Sequence, residues 1–169
     1  GGNLQAACLD LMIDREHPPQ GGPEDLHETL LAIQRDYFAL DGDEIRGIHA
    51  VEHRLREWEG SPMQSLPEES LRLHAQLLPL CEKKRLLAGY LQDAASMLVK
   101  APSYRKASGL LEQINETWGT FLKVLLKIGY TPHDKGPLLR DAHQLCGSLM
   151  ERERLFSHAA GQLYGELRA

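Results

Sequence analysis

Apolar residues recur at alternating steps of three and four along three long stretches of the chain. Such a repeat places one narrow apolar stripe along a helix, and that stripe packs best against helices that lie nearly parallel or antiparallel to it. The first stripe comprises Leu73, Leu77, Leu80, Leu87, Leu91, Ala94 and Leu98. The second comprises Tyr104, Ala107, Leu111, Ile114, Trp118, Phe121, Leu125 and Ile128. The third comprises Leu138, Ala142, Leu145, Leu149, Phe156, Ala159 and Leu163.

Shorter helices precede these three. Residues 3–14 have the pattern of an amphipathic helix. The Pro- and Gly-rich residues 17–23 end this pattern, because neither residue type continues a helix. We therefore assign residues 1–22 to a short helix and a linker. Residues 23–62 carry two helical patterns joined by a turn at 41–43, which predicts a helical hairpin docked on the bundle. Its inward positions are Leu26, Leu30, Ile33, Tyr37, Leu40, Ile45, Ile48, Val51, Leu55 and Trp58.

Residues 63–169 are predicted to form the bundle of three long antiparallel helices. Its first helix is capped by Ser65, runs to about Lys100, and is kinked near Pro79, because an internal proline removes a backbone hydrogen bond. The next two helices run from Tyr104 to Gly129 and from Leu138 to Arg168. No stretch has a strand pattern, so the predicted fold is all-α.

Two basic residues interrupt the stripes. We expect Lys84 and Arg152 either to reach solvent or to pair with an acid across the bundle, because an unpaired buried charge is costly. Polar residues on a stripe also fix the register of neighbouring helices. Several glycines inside the predicted helices indicate close helix approach or local breaks. They are Gly89, Gly119, Gly147, Gly161 and Gly165.

Composition limits the classes of function. The net charge of -5 argues against a nucleic-acid surface, which needs a basic face. No apolar run approaches the ~20 residues of a spanning helix, so we expect no membrane insertion. Cys8, Cys81 and Cys146 are odd in number and form no CxxC pair, which favours free thiols in a reducing compartment. We expect a cytoplasmic protein.

The most specific motif for chemistry is His49-Ala50-Val51-Glu52-His53. It matches H-x-x-E-H, in which two histidines bind zinc and the glutamate activates water. Peptidases with this motif resemble the chain in these five residues alone, and they use a large α/β fold with a further carboxylate ligand. A polar helix face explains the motif better. His27 could bind a metal together with the two histidines only if the fold brings all three side chains together. We therefore expect no metal or cofactor, and a zinc-dependent hydrolase is the alternative function.

Residues 74–126 resemble a spectrin repeat of the kind found in plakins and nesprins. The stripe from Leu77 to Leu98 is similar to the second helix of such a repeat. Residues 110–118 are similar to the run that leads to the tryptophan of its third helix, and residues 54–58 are similar to the tryptophan-bearing part of its first helix. This resemblance implies a scaffold or spacer without catalysis. The chain departs from the family because residues 129–137 interrupt the third helix and another long helix follows.

A second resemblance covers the start of the chain. Residues 2–11, with a Gly-Asn pair before a face of small residues, look like the last helix of a ubiquitin-associated domain. An ordinary capped helix explains the same residues, and only a third of such a domain is present. A ubiquitin-pathway binding module is therefore a second alternative.

These observations predict a non-enzymatic protein–protein interaction or scaffold module. Its partner is expected to be another protein, cytoskeletal or adaptor in type. Tyr37 and Trp58 are the candidate partner-binding residues, because aromatic side chains anchor contacts at incompletely covered helix junctions. The alternative is that both residues fill the core. Apolar residues beside the stripes leave a homo-oligomer open, and these are Leu86, Leu110, Leu122 and Leu167.

Overall fold

The computed structural model describes residues 48–59, 64–94, 100–132 and 134–168. These residues form four helices and contain no strand, which confirms the all-α prediction. The helices are α1 (Ile48–Glu59), α2 (Leu66–Asp93), α3 (Tyr104–Tyr130) and α4 (Gly136–Arg168). The helix predicted at residues 3–14, the linker after it and the positions from Leu26 to Ile45 lie outside the described residues.

Helix α2 begins where the sequence predicts and ends earlier. Ser65 is the N-cap residue and its carbonyl accepts the Glu69 N–H at 3.0 Å, but its side chain makes no capping hydrogen bond. The helix continues through Pro79, whose side chain is exposed, and the kink there stays a prediction. It ends at Asp93, not near Lys100. The Tyr104 hydroxyl donates to the Leu91 carbonyl at 3.5 Å, so this last-turn carbonyl already has a partner outside the helix.

Helices α3 and α4 have boundaries close to the predicted ones. Helix α3 ends at Tyr130, one residue beyond the prediction, and α4 begins at Gly136, two residues before it. Asp134 Oδ1 accepts the Gly136 N–H at 3.0 Å, so a carboxylate satisfies one of the unpaired amides at the start of α4. The segment between the helices is therefore short and ends in a side-chain cap.

The three predicted stripes form one core. All eight residues of the second stripe are buried, as are most described residues of the other two; Leu80, Leu138 and Leu145 are partly buried. Helix α1 adds its own apolar face to this core. The buried residues of that face are Ile48, Val51, Leu55 and Trp58. Removing α1 would therefore expose apolar surface on the helices that it covers.

Hydrogen bonds near both ends of α2 and α3 show that these helices run in opposite directions. Ser70, near the start of α2, donates its hydroxyl hydrogen to the carbonyl of Leu125, near the end of α3, at 2.7 Å. The bond between Tyr104 and Leu91 joins the other two ends. Gly129 lies so close to Leu71 that a Cβ there would collide with the leucine side chain.

The contacts of α4 give the same relation to α3 and place α1 beside α4. Ser103, just before α3, donates its N–H and hydroxyl hydrogens to the Glu166 carboxylate at 3.0 and 2.5 Å, near the end of α4. Glu59 Oε1, at the end of α1, lies 2.9 Å from Nε2 of His143 in α4. Arg54 also donates to the Gln76 side chain at 3.1 Å, which links α1 to α2.

Gly129 is a site of close helix approach, and three of the glycines that the sequence singles out are not. A Cβ at Gly119 or Gly147, or at Gly165, would meet no atom within 4 Å, so the predicted role of these three glycines in helix contact is wrong. The close approach occurs instead at Gly129, which the sequence pattern assigns to the end of a helix.

Candidate functional site

Three polar side chains from different helices meet in the core of the protein. Lys84 of α2 places Nζ 2.5 Å from Oε1 of Glu153 in α4, and the two side chains are 4% and 5% exposed. The indole Nε1–H of Trp118 in α3 donates to the same Oε1 at 3.2 Å. Lys84 Nζ also lies 5.2 Å from the centroid of the Trp118 ring. We call these three residues the buried ionic cluster.

The buried ionic cluster is balanced in charge. A buried ammonium or carboxylate loses its hydration and is tolerated only with a partner of opposite charge and further hydrogen bonds. Here the carboxylate accepts from both the ammonium and the indole, and the ring face offers the cation a second favourable contact. Phe121 packs edge-on against the Trp118 ring, with centroids 5.8 Å apart, and helps to keep water away.

The prediction that a basic residue on the stripe pairs with an acid is confirmed for Lys84, whereas the partly exposed Arg152 fits the other predicted alternative, in which the side chain reaches solvent. Lys84 meets an acid across the core as expected. Arg152 is half-buried, and its guanidinium donates to the hydroxyl of Thr117 rather than to a carboxylate. The adjacent Glu153 occupies the buried position in its place. The third stripe therefore continues from Leu149 to Glu153, four residues later, rather than to Arg152, three residues later.

Two buried thiols flank the buried ionic cluster. Burial raises the pKa of the Cys81 thiol from 9.0 to about 12, although the charge of Lys84 opposes this shift. Burial likewise raises the pKa of the Cys146 thiol to about 12, and the negative charges of Glu52 and Glu153 add to it. Both cysteines are free, and at neutral pH both stay protonated. Protonated thiols are poor nucleophiles and poor metal ligands.

The two histidines and the glutamate of the H-x-x-E-H stretch lie on the polar side of α1, whereas Val51 between them is buried in the core. His49 and His53 are exposed, and His53 Nε2 lies 3.1 Å from Glu57 Oε1 one turn away. Glu52 accepts a hydrogen bond from Arg56. Within the described residues, no group of three or more His, Cys, Asp or Glu side chains is arranged to hold a metal ion. His27 lies outside those residues.

The structure describes one of the two candidate partner-binding residues, Trp58. Trp58 is 2% exposed and belongs to the core, which fits the alternative that it fills the interior. Tyr37 and the residues that resemble a ubiquitin-associated helix lie outside the described residues. Trp58 therefore offers little surface to a partner without a rearrangement of α1.

The surface grooves in the described part of the chain include two that border the core. The larger, of about 520 Å³, lies between the start of α1 and the middle of α4, where Ile48, His49, Gly147 and Met150 contribute to its walls. The smaller, of about 250 Å³, lies between α2 and α3. Its lining residues are Ala88, Leu91, Gln92, Ser108, Leu111, Glu112, Asn115 and Glu116.

One polar atom at the α2–α3 groove has no partner. Asn115 Nδ2 donates to the Lys84 carbonyl at 3.4 Å, so its Oδ1 points elsewhere. That Oδ1 is buried and accepts no hydrogen bond among the described residues. A buried unsatisfied acceptor is uncommon in native proteins and calls for an explanation. Nothing in the stripe pattern predicts it, because Asn115 lies beside the apolar positions.

Exposed apolar surface is limited in the described part of the chain. Leu78 and Tyr130 are the large apolar side chains exposed there, and they lie on different helices. Leu86, Leu110 and Leu122 are partly buried against the core, whereas the side chain of Leu167 lies outside the described residues. None of the helices in the described segments combines the length and the apolar character that crossing a bilayer requires.

Comparison with protein-family models, with curated proteins and with solved structures finds no match to this chain.

Proposed function

We propose that this chain is a non-enzymatic protein–protein interaction or spacer module. In this proposal residues 63–169 form a bundle of three long antiparallel helices, and the shorter α1 docks against it. The proposal rests on the observation that the buried polar and thiol side chains in the described region hold the helices together or are kept neutral, rather than forming a reactive site. The buried lysine, glutamate and tryptophan contact one another, and the two buried cysteines are held as neutral thiols.

The mechanics of the helices support a scaffold role. A buried ion pair between α2 and α4 is stable in only one register, because sliding either helix would leave an unpaired charge in the core. Trp118 adds α3 to the same contact through its indole N–H. Helices held in one register present a constant outer surface, which is what a binding partner or a spacer requires.

The spectrin-like residues give this proposal a family hypothesis. Trp118 is the residue that resembles the tryptophan of the third helix of a spectrin repeat, and it lies in the core beside Phe121. Trp58, the counterpart of the first-helix tryptophan, is also buried. Core positions for both tryptophans are consistent with that resemblance, and a cytoplasmic scaffold between proteins follows from it as a proposal.

The proposal is tested by finding a partner and by measuring its stoichiometry. A protein captured by the immobilised full chain is purified and titrated against the chain by calorimetry. We expect saturable binding with a defined ratio, together with a helical circular dichroism spectrum and one cooperative melt. Light scattering over a concentration series separates a monomer from a homo-oligomer. A mainly β spectrum, or catalytic turnover by the purified chain, would contradict the proposal.

The zinc-hydrolase alternative has its own experiment. Protein purified without chelator is analysed for metal, beside the His49→Ala and His53→Ala variants. We expect no stoichiometric zinc in any of the three proteins, because Glu52 and His53 already contact Arg56 and Glu57. Stoichiometric zinc that is lost in both variants would favour the hydrolase.

A further inference from the structure

Helices α2 and α4 border a cleft on the side of the protein away from α3. Both helices pack along α3, but they make little direct contact with each other. Two rows of residues at intervals of seven follow the cleft, and residues at this interval share one face of a helix. The rows are Gln76, Lys83 and Tyr90 in α2, and His143, Met150, Ser157 and Tyr164 in α4.

Helix α1 occupies the lower half of this cleft. Its Arg54 donates to Gln76 of the first row, and its first residue, Ile48, lines a groove with Met150 of the second row. Tyr164 lies roughly 21 Å beyond Met150 along α4, at about 1.5 Å per residue. No described helix other than α1 lies on this side of α2 and α4, so the described helices leave the upper half of the cleft without a cover.

The remaining members of the two rows, which we call the upper cleft, are nevertheless covered. Lys83 and Tyr90 are only 6% and 5% exposed, and Ser157 and Tyr164 are half-buried. Helix α3 does not cover the first two, because it forms its groove with α2 on the side of Gln92, roughly 180° away from them around α2. These exposures are those of a single chain, so the cover is another part of the same chain.

We propose that residues 26–45 of this chain fill the upper cleft and act as an intramolecular ligand of the bundle. The chain enters α1 at Ile48, beside Met150. From there α1 runs away from the upper cleft, since its last residue, Glu59, lies against His143. The residues that precede Ile48 therefore start at the edge of the upper cleft. This inference goes beyond the proposed function, because the occupant belongs to the chain itself and no second protein is involved.

The length and the pattern of residues 26–45 suit this cleft. The part that precedes the turn predicted at 41–43 spans roughly 22 Å as a helix, at about 1.5 Å per residue, which matches the length of the upper half. Its apolar positions recur at helical spacing and provide a face to bury. The apolar positions of the whole segment are Leu26, Leu30, Ile33, Tyr37, Leu40 and Ile45. A partner helix would have to displace this segment before it reached the cleft.

Two other parts of the chain are less suited to cover the upper cleft. Residues 95–99 begin roughly 18 Å beyond Lys83 along α2, at about 1.5 Å per residue, and they lead on to α3. So short a segment does not reach back to Lys83. Residues 3–14 are separated from α1 by the Pro- and Gly-rich residues 17–23, which do not hold them beside the cleft.

Photo-crosslinking of the full chain tests the proposal. Tyr164→p-benzoylphenylalanine places the crosslinker in the upper cleft, and Lys123→p-benzoylphenylalanine on the exposed side of α3 is the matched control. We expect the first variant, and not the second, to form crosslinks to residues 26–45. A mixture of unlabelled and isotope-labelled chains should show that these crosslinks lie within one molecule. Crosslinks from the first variant to residues 3–14 or 95–99 instead, crosslinks to a second copy, or no crosslink at all would overturn the proposal.

Thiol reactivity provides a second measurement without an unnatural side chain. Ser157→Cys places a thiol in the upper cleft of a chain whose Cys8 is changed to serine, and the two buried cysteines report any global unfolding. Adding Leu30→Ser and Ile33→Ser should open the cleft and raise the rate of maleimide reaction at the new thiol about tenfold or more, as expected for loss of a local cover. The same changes should leave the rate at Lys123→Cys unaltered. An unchanged rate at Ser157→Cys would overturn the proposal.

Discussion

Neutralising one member of the buried ionic cluster should destabilise the protein far more than neutralising both charged members. Lys84→Met leaves the Glu153 carboxylate buried with the Trp118 N–H as its described donor. Removing one partner of a buried pair costs about 3–5 kcal/mol, because the remaining charge is uncompensated. Glu153→Gln should likewise cost about 3–5 kcal/mol, since the amide oxygen still accepts from the lysine and the indole but leaves the buried ammonium charge uncompensated.

The double variant Lys84→Met/Glu153→Gln buries no charge. Its amide oxygen keeps the hydrogen bond from Trp118, and its cost is the unsatisfied amide N–H₂, about 1–3 kcal/mol. The two single losses together therefore exceed the loss in the double variant by about 2 kcal/mol or more. This difference is the coupling free energy of the pair.

Urea unfolding of the four proteins measures that coupling. The midpoints and slopes give the free energy of unfolding of each variant, and unchanged slopes show that the unfolded state is comparable. The exposed pair Glu68–Arg72 is the control, and its coupling should stay below about 0.5 kcal/mol. Coupling of Lys84 and Glu153 that is equally small would refute the reasoning, because it would mean that water reaches both charges.

Three further predictions follow from burial and backbone geometry. Burial raises the pKa of Cys81 and Cys146 from 9.0 to about 12, so the stability that the two thiols contribute is present below pH 9.0 and is lost as the pH rises towards 12. Urea unfolding at a series of alkaline pH values should show this loss, and a variant with both cysteines changed to alanine is the control. Gly119→Ala should stabilise α3 by about 1 kcal/mol, since the added Cβ meets no atom, whereas Gly129→Ala should destabilise the protein because its Cβ collides with Leu71. Thermal melts should therefore show opposite changes in the melting temperature for the two variants, and changes of the same sign would contradict the packing. Trp58→Ala should lower the free energy of unfolding, measured in urea, by about 3–5 kcal/mol, because Trp58 is a core residue. Loss of partner binding without loss of stability would show instead that Trp58 is a surface contact residue.

The sequence alone predicted the stripes well, because burial of a helix face depends on spacing that a single sequence shows. All eight positions of the second stripe are buried, and Lys84 pairs with an acid as expected. The identity of that acid was not predictable. Between Leu149 and Phe156 a stripe can pass through either of two adjacent residues, and only the packing of the neighbouring helices selects Glu153.

Features that depend on approach between helices also escaped the sequence pattern. Gly129 is required for helix packing because Leu71 of another helix lies against it. The sequence around a glycine does not show which residues of other helices contact it. Near the end of α2 at Asp93, the Leu91 carbonyl likewise accepts a hydrogen bond from a hydroxyl at the start of α3, and the sequence of α2 does not indicate this partner. The α2–α3 groove likewise combines residues from two helices, so neither helix alone indicates its lining.

Distances between spin labels test most directly the antiparallel bundle on which the proposed function rests. Labels are placed at the exposed positions Arg105, Lys123 and Gln162, with Cys8 changed to serine; Cys81 and Cys146 are buried and stay unlabelled. The contacts of Ser103 and Glu166 place Arg105 nearly level with Gln162, whereas Lys123 lies roughly 27 Å farther along α3 at about 1.5 Å per residue. We predict a short distance from Gln162 to Arg105 and a clearly longer one from Gln162 to Lys123. The reverse order would contradict the arrangement and the function proposed from it.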